Sequence, residues 1–168
     1  MMEYKVCVED SGTTRWYYEG KLHREDGPAE EYANGDKVWY KEGKVHREDG
    51  PAVDLSNGDK EWFKDDKLHR EDGPAIDYAH GDKEWYKEGL LHRDDGPATE
   101  YINGDKEWYK EGNLHREDGP AVEYFNGDKE WYLEGEELSE EEFLKRMKSP
   151  LSDKVVEIDG IKYNLIRI

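Results

Sequence analysis

Residues 84–106 read EWYKEGLLHRDDGPATEYINGDK, and the chain repeats this unit along most of its length. Tryptophan recurs at Trp16, Trp39, Trp62, Trp85, Trp108 and Trp131, always 23 residues apart. His23, His46, His69, His92 and His115 keep the same step, as do the Gly-Pro pairs that begin at Gly27, Gly50, Gly73, Gly96 and Gly119. A fixed period of this size marks a repeat architecture, in which one unit cannot bury its own apolar face and stacked neighbours supply the core. The repeating part covers roughly 1–136, with 1–15 as an N-terminal edge cap and 137–168 as a different C-terminal segment.

Each unit reads as β-structure. Asn34–Gly35, Asn57–Gly58, Asn103–Gly104 and Asn126–Gly127 are hairpin signals, with His80–Gly81 in the third copy. Both residues of such a pair tolerate the positive φ of a type I′ turn. In the last copy a short strand, Ala121–Tyr124, precedes the turn. A second strand, Asp128–Tyr132, follows it and sends Trp131 and Tyr132 to opposite faces. A further reversal falls at Glu111–Gly112, and Asp-Gly-Pro turns the chain into the next unit. The expected fold is an all-β, elongated, antiparallel single-layer array whose rungs are held by the six tryptophans.

Composition alone points the other way. Leu, Ile, Val and Phe make up 28 of 168 residues and the net charge is −18, a balance typical of disordered chains. The period resolves this conflict. Each rung carries one Trp, one or two Tyr and several turns, and its charge imbalance is copied with it. The five windows beginning at Trp16, Trp39, Trp62, Trp85 and Trp108 carry −3, −2, −3, −3 and −3, so −14 of the −18 belongs to the array. Such a surface repels nucleic acid and anionic membranes. No apolar run is long enough for a transmembrane helix, the N-terminus lacks a secretory pattern, and Cys7 is the only cysteine. The expected location is cytoplasmic, the host cytoplasm if the protein is viral.

After the array, Ser139 and Glu142 form a capping-box pattern, with Leu138 and Phe143 at the hydrophobic-staple positions. A short helix to about Lys148 is expected, stopped before Pro150. Val155–Ile158 and Ile161–Ile168 flank Asp159–Gly160 as a second hairpin signal. This helix and hairpin read as a cap over the last rung. A dimerisation or partner-docking element is the alternative.

A Trp strand, a Gly-Lys-x-His step such as Gly20–His23, a Gly turn and a Tyr-x-Asn-Gly step within 23 residues resemble the MORN repeat. The chain looks closest to divergent MORN-like arrays of antitoxin-like and bacteriophage proteins. The run from Glu134-Gly135 through Leu138-Ser139-Glu140-Glu141-Glu142-Phe143 looks like tailed-phage versions. The resemblance implies an elongated twisted sheet that serves as a binding scaffold. Arg-Glu-Asp stands where the MORN repeat has a Gly-rich step, and with the acidity this sets aside the lipid contacts known for some members.

The recurring His-Arg-Glu/Asp-Asp invites a catalytic or metal reading. Two strands per unit place equivalent histidines about 10 Å apart, too far to share one metal ion at roughly 2 Å. No phosphate-binding loop or nucleophile elbow is present. No enzyme, metal or cofactor is therefore expected. The expected function is protein binding by a phage-encoded accessory factor. It would bind and inhibit a host defence or nucleic-acid-handling protein that carries a basic surface, in part by mimicking nucleic acid. The candidate contact is the acidic turn row Glu25, Asp26, Glu48, Asp49, Glu71, Asp72, Asp94, Asp95, Glu117 and Asp118. Two other classes remain open: a nucleotide sponge using Trp, His and Arg, and a structural or assembly protein.

Overall fold

The structure is a computed structural model that describes residues 3–148, 155–158 and 161–164. Short strands such as Ile76–Asp77 and Lys83–Glu84 form a hairpin with Ile76 opposite Glu84. Each strand also pairs outward with a neighbouring copy, Ile76 with Glu61 and Lys83 with Glu100. The hairpins join into one 14-stranded antiparallel sheet, from Lys5–Val8 to Glu136–Leu138. The fold is thus an all-β elongated repeat array.

Every internal copy contains a second, smaller hairpin. In the copy quoted above it is Tyr86–Lys87 with Leu90–Leu91, outside the main sheet. Trp85 lies between the two strand pairs. Its N–H donates to the Ala98 carbonyl at 2.8 Å, and its own carbonyl accepts the His92 N–H at 3.0 Å. The two backbone groups of the tryptophan therefore serve different ladders, and the chain bends between them. A continuous strand through Trp is found only in the end copies, at Thr14–Tyr18 and Lys129–Leu133. The small hairpins also bond to one another, Gly89 N–H to Leu68 O at 2.9 Å and Gly112 N–H to Leu91 O at 2.9 Å.

The turn types differ from expectation. The type I′ geometry sits at Glu-Gly, with φ of +52° at Glu88 and +86° at Gly89. In the Asn-Gly turns only the glycine has positive φ, +98° at Gly104. Gly104 N–H donates to Tyr101 O at 2.9 Å and Tyr101 N–H to Asp105 O at 3.0 Å, the pattern of a type I turn closed by a left-handed glycine. Asn103 is held out of the left-handed region by its neighbour. Its amide donates to Asp105 Oδ2 at 2.8 Å, and its Oδ1 accepts the Asp105 N–H at 3.0 Å.

The innermost positions are small. Ala29, Ala52, Ala75, Ala98 and Ala121, the alanines of Gly-Pro-Ala, are all 0% exposed, and among the described residues no large side chain is fully buried. The six tryptophans are half-buried. On one face of the sheet, acids and lysines alternate across strands. Asp77 faces Lys60 on one side and Lys83 on the other, and the alternation runs from Glu31 to Lys129. This alternation keeps like charges from facing one another across the strands, an arrangement that would be destabilising.

The other face sets glutamates against tyrosines. Glu84 accepts the hydroxyls of Tyr86 at 2.9 Å and Tyr78 at 3.4 Å, and Glu130 accepts those of Tyr124 at 3.0 Å and Tyr132 at 3.2 Å. Burial and these carboxylates push Tyr40, Tyr101 and Tyr132 up to about 12, and Tyr86 and Tyr109 higher still. A phenol raised in the folded state contributes stability that is present below the ordinary pKa of 10.0 and lost as pH rises through the folded value. Tyrosinate absorbance and loss of β-sheet circular dichroism are therefore expected to rise together above pH 10. Tyrosines that all titrate near 10 while the sheet stays intact would contradict this packing. In the second copy Leu55 and Phe63 replace the tyrosines. There Glu61 is without a phenol, and burial, followed by Asp59 and Glu84, pushes its carboxyl up.

At the C-terminal end, Glu140–Lys148 is the expected helix. Ser139 N–H donates to Glu142 Oε2 at 3.0 Å, and Glu142 N–H to Ser139 Oγ at 3.3 Å, which completes the capping box. Leu138 and Phe143 are both buried, and the helix packs on strands Lys129–Leu133 and Glu136–Leu138. Val155–Ile158 pairs antiparallel with Ile161–Asn164. The Asp159–Gly160 turn, Pro150 and residues 165–168 lie outside the described residues.

Candidate protein-binding surface

The His-Arg-x-Asp-Gly-Pro turn is built around its arginine. Arg93 lays its guanidinium over the Trp85 ring, with Cζ 4.1 Å from the ring centre, and the five copies span 3.9–4.2 Å. Its Nε donates to Asp95 Oδ1 at 2.9 Å, and Nη1 donates to the Pro97 carbonyl at 3.2 Å and to Glu100 Oε1 at 2.9 Å. The glycine completes the fit, because a Cβ on Gly96 would lie 3.0 Å from Arg93 Cζ. Only a residue without a side chain lets the guanidinium pass this close.

The histidine works between copies. His92 Nδ1 accepts the N–H of Glu111, in the Glu-Gly turn of the next copy, at 3.1 Å. The same bond joins His23 to Glu42, His46 to Asp65, His69 to Glu88 and His115 to Glu134. On the opposite rim, Asp82 Oδ1 accepts the Ile102 N–H of the next copy at 2.7 Å, and Asp36, Asp59 and Asp105 repeat it. These backbone donors hold the carboxyls of Asp36, Asp59 and Asp82 below the usual carboxylate range.

The ten acidic candidates are all exposed, and they fall into two kinds. The second acid of each turn is tied to the arginine behind it: Asp26, Asp49, Asp72, Asp95 and Asp118 take the Nε at 2.7–2.9 Å. That guanidinium holds Asp49, Asp72, Asp95 and Asp118 below the usual range. The first acid of each turn, Glu25, Glu48, Glu71, Asp94 or Glu117, makes no bond to the arginine and stays at the exposed rim, with Glu48 78% and Asp94 80% exposed. Its nearest basic groups are the histidine of its own turn, Nε2 lying 3.4 Å from Glu48 and 3.1 Å from Asp94, and Lys41, 3.4 Å from Glu48. Consecutive turns form the two walls of a cleft. The one between the third and fourth HRxD turns has a volume of about 730 Å³ and is lined by Glu71, Asp72, Asp94 and Asp95 together with Trp85 and Lys87. Equivalent clefts of about 840, 610 and 680 Å³ occur along the same row.

No protein-family model and no curated protein matches this chain. The candidate surface therefore rests on geometry. Among the described residues, no group of three or more His, Cys, Asp or Glu is placed to hold a metal ion. Among the same residues no helix is long and apolar enough to cross a membrane.

Two features of the row were not read from the sequence. The cleft lysines Lys41, Lys64, Lys87 and Lys110 share the period, yet nothing local marks them as facing the acids. The division of the acids into outer and clamped members needs the path of the arginine, which lies eight residues after its tryptophan and folds back over it.

Proposed function

We propose that the protein is a non-enzymatic scaffold that binds a partner with a basic surface along the outer acids of its turns. One observation carries this reading. The turns are fixed by arginine, glycine and the histidine bolt, so the outer carboxylates stand in a row at each rung without further ordering. Preorganised groups lose little entropy on binding, and a periodic acidic row steers a basic partner toward it in a salt-dependent way. In its fullest form the partner is a host defence or nucleic-acid-handling protein, and the scaffold is a phage-encoded inhibitor. About three net charges per roughly 10 Å is near half the density of duplex DNA, which fits partial mimicry. A nucleotide sponge is less favoured, because one face of each of Trp16, Trp39, Trp62, Trp85 and Trp108 already carries an arginine.

The test is the variant Glu48→Lys/Glu71→Lys/Asp94→Lys/Glu117→Lys, titrated with a lysine-rich peptide. The expected result is at least about a tenfold loss of affinity with an unchanged thermal melt. Unchanged affinity overturns the reading, and heat released by nucleotides with no response to the peptide favours the sponge.

A further inference from the structure

The two ends of the sheet are finished differently. At the C-terminal end, the helix Glu140–Lys148 packs on the last two strands. At the N-terminal end, strand Lys5–Val8 pairs among the described residues only with Thr14–Tyr18 and is the sheet's outer strand. Val6 and Val8 on it are 50% and 72% exposed. An uncovered edge presents unpaired N–H and C=O groups and is a template for another strand.

The edge sequence selects its own occupant. We infer that strand Lys5–Val8 pairs antiparallel with the same strand of a second copy, about a two-fold axis at Cys7. A two-fold perpendicular to an antiparallel sheet sets one residue opposite its own equivalent, so few registers are possible. With Cys7 on the axis, Val6 faces Val8 of the other copy, Lys5 faces Glu9, and the two thiols meet. The valines form an apolar cluster on one face, and the lysine–glutamate pairs flank the cysteines on the other. Centring on Lys5 sets two lysines opposite each other. Centring on Val6 sets Glu3 opposite Glu9, and centring on Val8 runs the pairing into the turn that follows the strand. Like charges at facing positions are destabilising, so the Cys7 register is the one the residues fit. Lys5 is exposed and has no ion pair among the described residues, and Glu9, which already takes Arg15 of its own chain, keeps 46% of its side chain exposed to receive a second cation. Facing residues of an antiparallel pair have Cα atoms about 4.5–5.5 Å apart, within the roughly 4.4–6.8 Å range of a disulfide. The pairing is independent of the acidic row and leaves the turns of both copies open.

Five residues of strand edge bury less than the roughly 1,200 Å² of a stable interface, so the dimer is in exchange and its population rises with concentration. Sedimentation of the full chain under reducing conditions is expected to show an average mass that climbs toward twice the monomer. Mild oxidation then traps a dimer linked through Cys7. Val6→Lys/Val8→Lys is expected to abolish both the mass increase and the trapping. Lys5→Glu weakens both without touching a packed side chain, and Cys7→Ser keeps the mass increase and loses only the trapped species. A monomer mass at every concentration overturns the inference. So does a dimer that survives both Val6→Lys/Val8→Lys and Lys5→Glu, which would place the contact elsewhere, as at the C-terminal hairpin.

Discussion

Replacing Arg70 by alanine is expected to destabilise the array by about 2–3 kcal/mol, read as a fall in Tm of roughly 5–10 °C. The magnitude is assembled from its contacts. The guanidinium sits 4.0 Å above the Trp62 ring, and a partly buried cation–π contact is worth about 1 kcal/mol. Its Nη1 donates to the Pro74 carbonyl at 3.3 Å, and losing so long a hydrogen bond from a charged donor costs about 1.5 kcal/mol, the low end for such bonds. The bond to Asp72 is the smallest of the three, since that carboxylate is 85% exposed, and its loss shows in the melt only when several turns lose theirs together. Arg70→Lys keeps the charge but not the planar fork that stacks and bonds at once, so it should recover less than half of the loss. Thermal melts of the three proteins decide the point. A lysine variant as stable as the parent would show that charge alone, and not the stacked clamp, holds the turn.

The second large effect is expected at Ala75. This side chain is 0% exposed, its N–H donates to Glu84 O at 2.7 Å, and its carbonyl accepts the Trp62 N–H at 2.8 Å. Ala75→Leu forces added methylenes between rungs that already bond closely, and overpacking of this kind costs about 1–3 kcal/mol. The damage falls in a central copy, where a repeat array depends on contacts with both neighbours. Ala79→Ile is the matched control. Its counterparts in the next two copies are Ile102 and Phe125, both exposed, so a change within about 0.5 kcal/mol is expected. Equal costs at the two sites would mean that the alanine row is not the core.

The period at Trp and His gave the repeat and the β-class, because each copy restates the same turn chemistry. The capping box of Ser139 and Glu142 was equally readable, since its signal is local. The core was less so. A strand reading that ranks residues by apolar size points to tryptophan, whereas the positions at 0% exposure are Ala29 and its four equivalents, and the tryptophans stay half-buried, Trp16, Trp39, Trp62, Trp85 and Trp108 under an arginine. The Asn-Gly turns departed from type I′ for a related reason. Asn103 is fixed by a side-chain bond to Asp105, and the N–H of Glu88 is taken by His69 of the preceding copy at 3.2 Å. Bonds between residues 19 or 20 apart have no local sequence signature.

The central claim is the division of labour within each acidic pair, and two isosteric variants test it most directly. One neutralises the outer acids, Glu48→Gln/Glu71→Gln/Asp94→Asn/Glu117→Gln. The other neutralises the clamped acids, Asp49→Asn/Asp72→Asn/Asp95→Asn/Asp118→Asn. Both remove four charges, and both are titrated with the same lysine-rich peptide and melted in the same buffer. The outer variant is expected to lose affinity with its Tm unchanged, and the clamped variant to lose Tm while it retains more of the affinity at temperatures where it is folded. Equal losses of affinity with equal melts would contradict the account, since the row would then act as undivided charge.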